Sequence, residues 1–285
     1  MATNYDDKQS KSDVRDALTS STLPAAVAAK ILKTLGGKVN INEVNHAPTG
    51  NDVHGEDLVL IATGGTIDLS GISKADIKGV NAFVFTTNDD VNFTLAGDHT
   101  TSFNGVITTN AGNDTINLNS KKGVTVSSGD GNDSVTTGSG KDSIDLGAGN
   151  DSVNTGEGND SVSTGSGNDS VSTGAGSDSV LVGSGNDSVD TGAGTDIVKL
   201  AAQFTGNAIL DGGDGKSDKL DLSSVVIKDV VPEGAGFKIT LDDNSVITAT
   251  NFEKFVYDSN GDAKGGIKIV GAVQFDAHDF GGSGS

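Results

Sequence analysis

Between Gly129 and Leu200 apolar and polar positions alternate with a period of nine residues. In order the units read GDGNDSVTT, GSGKDSIDL, GAGNDSVNT, GEGNDSVST, GSGNDSVST, GAGSDSVLV, GSGNDSVDT and GAGTDIVKL. One aliphatic column is unbroken: Val135, Ile144, Val153, Val162, Val171, Val180, Val189 and Val198. Ser-Val-x-Thr alternates as a short strand does, with Val to one side and its neighbours to the other. The Gly-x-Gly-Asn before it is a turn, because Gly and Asn tolerate positive φ. The density of Gly, Asp and Ser argues against helix, and eight units in register mark a repeat architecture. Turn, strand, turn, strand closes one coil in two units. Stacked coils form two parallel sheets with facing rows, Val135, Val153, Val171 and Val189 against Ile144, Val162, Val180 and Val198.

Such a core is thin. Two aliphatic side chains per coil bury too little surface to offset the entropy of ordering the coil, so another favourable term is needed. The Asp two residues before each aliphatic supplies it: Asp133, Asp142, Asp151, Asp160, Asp169, Asp178, Asp187 and Asp196. Every second one falls on the same edge of the stack, where unneutralised carboxylates repel. A Ca²⁺ between successive turns takes a carboxylate oxygen and turn carbonyls, the hard oxygen environment this ion prefers. The candidate ligands are those Asp residues with the glycines of their turns: Gly129 and Gly131, Gly138 and Gly140, Gly147 and Gly149, Gly156 and Gly158, Gly165 and Gly167, Gly174 and Gly176, Gly183 and Gly185, and Gly192 and Gly194. A divergent upstream copy, Ala111-Gly112-Asn113-Asp114, adds Asp114.

These units resemble the RTX (repeats-in-toxin) nonapeptide G-G-x-G-x-D-x-U-x, over about a quarter of the chain. The resemblance implies an all-β fold built on a right-handed parallel β-roll, folding induced by several Ca²⁺ ions, and export by a type I secretion apparatus that reads an uncleaved C-terminal signal. One departure is regular. The first Gly of the family pattern is here Thr137, Leu146, Thr155, Thr164, Thr173, Val182 and Thr191, which removes some freedom from the turn. Without calcium the same composition is expected to behave as a disordered linker.

Outside the array, residues 1–37 read as a polar start and a short amphipathic helix, Leu23 to Leu35, with Leu23, Val27, Ile31 and Leu35 on one face. Residues 38–56 read as a linker. Residues 57–110 read as a strand-rich N-terminal cap merging into the roll at 111–200. Residues 201–280 read as a C-terminal β cap carrying Phe237, Phe252, Phe255 and Phe275, and 281–285 as a flexible tail. Gly212-Gly213-Asp214-Gly215 resembles one more turn, but an extra residue before Asp218 takes it out of the repeat, and it is not counted among the ligands.

A formal charge of −20 speaks against nucleic-acid binding. There is no Cys, hence no disulfide or thiolate chemistry, and no apolar run long enough for a transmembrane helix. Neither H-E-x-x-H nor G-x-S-x-G occurs, and the four His are scattered. No Thr row stands between the paired glycines, which disfavours the ice-binding role of some rolls. The expectation is a non-enzymatic, secreted, calcium-binding structural protein that assembles with itself at the cell surface or in an extracellular matrix. The alternative is a carrier or adhesin module of a larger secreted toxin, adhesin or hydrolase.

Overall fold

The computed structural model describes residues 41–44, 58–61, 64–69, 80–95 and 103–257. All regular structure among them is β. The helix expected over 23–35 and the part of the expected C-terminal cap that carries Phe275 lie outside the described residues. The chain divides into two compact units between Gly147 and Ala148.

The first unit contains β1 (Ile41–Val44), β2 (Leu58–Ile61), β3 (Gly65–Asp68), β4 (Ala82–Phe85), β5 (Val91–Thr94), β6 (Val106–Thr108), β7 (Thr115–Ser120), β8 (Thr125–Asp130), β9 (Ser134–Ser139) and β10 (Ser143–Ala148). Strands alternate between two sheets, in the orders β1-β2-β4-β6-β8-β10 and β3-β5-β7-β9. The parallel register stacks like on like. Val59, Phe83, Ile107 and Val126 follow one another in the first sheet. Ile67, Phe93, Ile116 and Val135 do so in the second. Both rows are buried, and Phe93 packs its ring on Phe83 and Phe85 at 5.2 and 5.5 Å. β1 falls inside the stretch expected to be a linker. Its Ile41-Asn-Glu-Val44 pairs in parallel with β2, so the coil stack begins earlier than Asn and Pro around it suggest.

The second unit contains β11 (Ser152–Glu157), β12 (Ser161–Ser163), β13 (Ser170–Ser172), β14 (Ala175–Gly176), β15 (Ser179–Val182), β16 (Ser188–Asp190), β17 (Ala193–Gly194), β18 (Ile197–Leu200), β19 (Asn207–Asp211), β20 (Asp214–Gly215), β21 (Lys219–Asp221), β22 (Ile227–Glu233), β23 (Gly236–Leu241), β24 (Val246–Thr250) and β25 (Lys254–Val256). One sheet runs β12-β15-β18-β21-β25, the other β11-β13-β16-β19-β24-β23-β22. Val153 pairs with Val171 and Val171 with Val189. Val162 pairs with Val180 and Val180 with Val198. These are the expected rows, one coil per two units. The turns stack too: Ala175 pairs with Ala193 and Ala193 with Asp214. This contact makes glycine necessary. Gly185 has φ +141°, and a Cβ there would run into the carbonyl of Gly167.

The core is wider than one aliphatic per strand. Strands such as β11 and β15 bury alternate residues, so Thr155 and Val182 lie inward beside Val153 and Val180. The residues that replace the family's first glycine are core residues, and each repeat unit contributes two.

Beyond β19 the sheet changes sense. β24 joins β19 in parallel, then β23 and β22 add antiparallel strands. In β22 the segment Ile-Lys-Asp-Val-Val-Pro-Glu neither alternates nor suits a central strand. It is an edge strand, with a register shift after Ile227 and Pro232 near its end. These features blunt an edge against further pairing.

Candidate metal centre

Each repeat Asp leaves its turn just before a strand, and stacking at coil spacing puts its carboxylate against the main chain of the coil before. In the second unit the Asp151 amide donates to Asp169 Oδ1 at 2.9 Å, and Asp169 N–H to Asp187 Oδ1 at 2.9 Å. On the other edge Asp160 N–H donates to Asp178 Oδ1 at 2.8 Å and Asp178 N–H to Asp196 Oδ1 at 2.7 Å. The first unit repeats this: Val91 N–H reaches Asp114, Asp114 N–H reaches Asp133, and Val124 N–H reaches Asp142, each on Oδ1 at 2.8 Å.

The preceding Asn staples the opposite way. Asn150 Oδ1 accepts from Asn168 N–H at 2.8 Å, and Asn168 Oδ1 from Asn186 N–H at 2.7 Å. So the Asn-Asp pair ties each coil to both neighbours. The inward Thr adds a third ladder: Thr155 Oγ1 donates to Thr173 O, Thr173 to Thr191 O and Thr191 to Gly212 O, each at 3.0 Å. Neither ladder was foreseen. The signal lies in the Asn and Thr columns, each kept in five of the eight units, which along the chain look like turn polarity and lost glycine.

The carboxylates are thereby half satisfied. All the expected Asp residues are buried, at 2% exposure or less. Oδ2 of Asp114, Asp169, Asp178, Asp187 and Asp196 is buried and accepts no hydrogen bond. Burial raises the Asp187 carboxyl to about 6, against the smaller opposing effect of the Asp169 amide. Asp114 and Asp196 are likewise raised to about 6, with burial the main cause. Asp133, Asp169 and Asp178 are raised for the same reason. A buried anionic oxygen with no donor needs a proton or a cation.

Asp142 differs. Its Oδ2 accepts from Thr137 Oγ1 at 2.6 Å, whereas the corresponding hydroxyls of Thr164, Thr173 and Thr191 lower the Asp169, Asp178 and Asp196 carboxyls but stand beyond hydrogen-bond distance of Oδ2.

The surroundings suit a hard cation. Turn carbonyls, carboxylates, Thr hydroxyls and Asn amide oxygens line these turns, there is no Cys, and the four His lie outside the described residues. Among the described residues no three His, Cys, Asp or Glu side chains converge. A site here therefore joins few carboxylates to main-chain oxygens, as Ca²⁺ accepts and Zn²⁺ does not. The expected glycines lie in the stacked turns. Several of their carbonyls, such as Gly174 O and Gly192 O, already take an amide from the next coil, at 2.7 and 2.6 Å. A carbonyl oxygen keeps a second lone pair for a metal.

One residue of the column escaped the sequence reading. Asp218 is fully buried, its Oδ1 accepts from Asp196 N–H at 2.8 Å, and its Oδ2 accepts nothing. The extra residue is taken up between Gly215 and Lys219, which stay in register with Gly194 and Ile197.

The family model for the RTX calcium-binding nonapeptide repeat matches residues 99–120, 127–162 and 163–198. No curated protein and no solved structure matches the chain.

Proposed function

From an RTX β-roll protein that binds calcium, we propose a secreted structural protein that folds and self-assembles where calcium is plentiful, at the cell surface or in an extracellular matrix. The observation that carries this reading is the column of buried carboxylate oxygens with no hydrogen-bond donor. In this reading Asp114, Asp133, Asp151, Asp160, Asp169, Asp178, Asp187 and Asp196 hold the ions, with the glycine carbonyls of their turns. Asp142 contributes less, because Thr137 already serves it.

Calcium supplies the charge that lets these carboxylates stay ionised inside the stack. Without it, several anions buried at coil spacing oppose folding. Resting cytosolic calcium is too low to fill such sites, and extracellular calcium is sufficient. The chain thus stays unfolded for passage through a type I secretion apparatus and folds outside. The commitment of the repeat carboxylates to the stack rather than to a pocket supports a non-enzymatic role.

Titration with calcium, followed by circular dichroism, light scattering and electron microscopy, tests this. Ordered β structure and high-mass assemblies are expected in millimolar calcium. Full β structure after chelation would overturn the switch, and a strict monomer at every calcium level would overturn the assembly.

A further inference from the structure

We infer that Asp218 and Glu253 form a further calcium site, outside the nonapeptide array, which fastens β25 to the roll. The inference rests on the reading that the carboxylate column binds calcium, and it extends that column to a place the repeat pattern does not reach. The matched repeats end at residue 198. In the last regular turn Gly194 is followed by Thr195 and Asp196. In the next, Gly215 is followed by Lys216, Ser217 and Asp218.

Despite the insertion the stack is kept. Gly215 pairs in register with Gly194, and Lys219 with Ile197. Asp218 is placed as a repeat Asp is, with Oδ1 on the Asp196 amide at 2.8 Å. A Cβ on Gly215 would run into Asp218 Oδ2. That oxygen points into the turn, fully buried, and accepts no hydrogen bond.

Glu253 then takes the place that the next coil's Asp would have. β25 pairs with β21, Lys219 opposite Lys254. The Asp218 amide donates to Glu253 Oε2 at 2.9 Å, as the Asp178 and Asp196 amides donate to the following Asp on this edge. The Asp218 carbonyl accepts in return from Glu253 and Lys254 N–H at 3.1 and 3.0 Å. Two carboxylates therefore meet at the end of this edge, 35 residues apart in sequence. Lys219 pairs with Asp221 at 3.9 Å; the Asp218 carboxylate feels the Glu253 charge against it and the Lys254 charge in its favour, the smaller of the two effects.

The other edge ends differently. Ser188 pairs with Ile209, which puts Ala208 in the Asp column after Asp187. One edge closes on a methyl group and the other on an acid pair. An ion at the acid pair joins the roll to a strand that follows the antiparallel hairpin. Because Glu253 is exposed, its site is wetter than the repeat sites. It should be the weakest, and the last to fill.

The test compares the full chain with Glu253→Gln and Asp218→Asn by calcium isothermal titration and by hydrogen exchange at β25. Each variant is expected to bind one ion fewer, lost from the weakest class. The calcium-induced β signal should be kept, and amide protection over Lys254–Val256 should fall at least tenfold. Should Asp218→Asn fail to fold, Glu253→Gln at an exposed position still decides. An unchanged ion count, or unchanged protection of β25 in Glu253→Gln, would overturn the inference while leaving the calcium roll intact. A parent chain that binds no calcium would sink both.

Discussion

The aromatic coils of the first unit and the repeat coils of the second share one backbone plan but are held together differently. In β4, β5 and the loop before β6, Phe83, Phe93 and Phe103 fill the interior, with Phe83 and Phe103 centroids 5.7 Å apart. The Asp column begins only below them: Val91 stands where the next coil has Asp114, and it gives its amide to that carboxylate. From β11 to β18 the interior narrows to Val with Thr, Val or Leu, and every turn carries a buried Asp. Large side chains glue coils by dispersion and water exclusion. Small ones leave the turns to do it, and turns made of carboxylates need a cation.

Removing calcium should separate the two regions most. After chelation, amide protection over 151–200 is expected to collapse, as each buried carboxylate left uncompensated costs about 3–5 kcal/mol. Protection over 80–95 should persist longer. Equal loss in both regions by hydrogen exchange would end the distinction.

Acid should act in the opposite direction. In chelator, Asp114, Asp187 and Asp196 are raised from 3.8 to about 6 by burial. Between those values the folded form binds more protons than the unfolded one. Stability without metal is therefore greatest below the unfolded value and falls as pH rises through the folded one. Lowering pH from about 7 to about 5 in chelator should restore β structure to the roll, visible by circular dichroism, whereas a further loss would contradict it.

Phe93→Ala is expected to cost about 3–5 kcal/mol by denaturant titration, as a large buried side chain does. The cost should be the same with and without calcium. Asp178→Asn should cost about 3 kcal/mol in calcium, through the lost ion, yet stabilise the chain in chelator by removing a buried charge. A substitution that changes sign with calcium marks a ligand, and one that does not marks packing. Thr173→Val is the smallest effect, about 1 kcal/mol for the hydrogen bond to Thr191 O. It should be similar in both conditions.

The repeat disclosed its coil length, its two aliphatic rows and its Asp edges, because a fixed period translates directly into stacking. Where the period fails, the reading failed. Asp218 dropped out on one inserted residue, though Gly215 opposite Gly194 shows that a turn absorbs such a residue without shifting the strand. Thr155 and Thr173 looked like missing glycines, and their burial is visible only once two sheets close over them.

Local alternation and turn chemistry were thus enough, read along the chain, to specify a stacked β-coil and the column of acids along its edges, since both depend on neighbours a fixed distance away. Only the tertiary structure decided which oxygen of each Asp is already engaged, that Asn and Asp staple in opposite directions, and that Glu253 meets Asp218. Those facts depend on residues from different coils arriving at one place, and register across irregular coils is set by packing rather than by spacing.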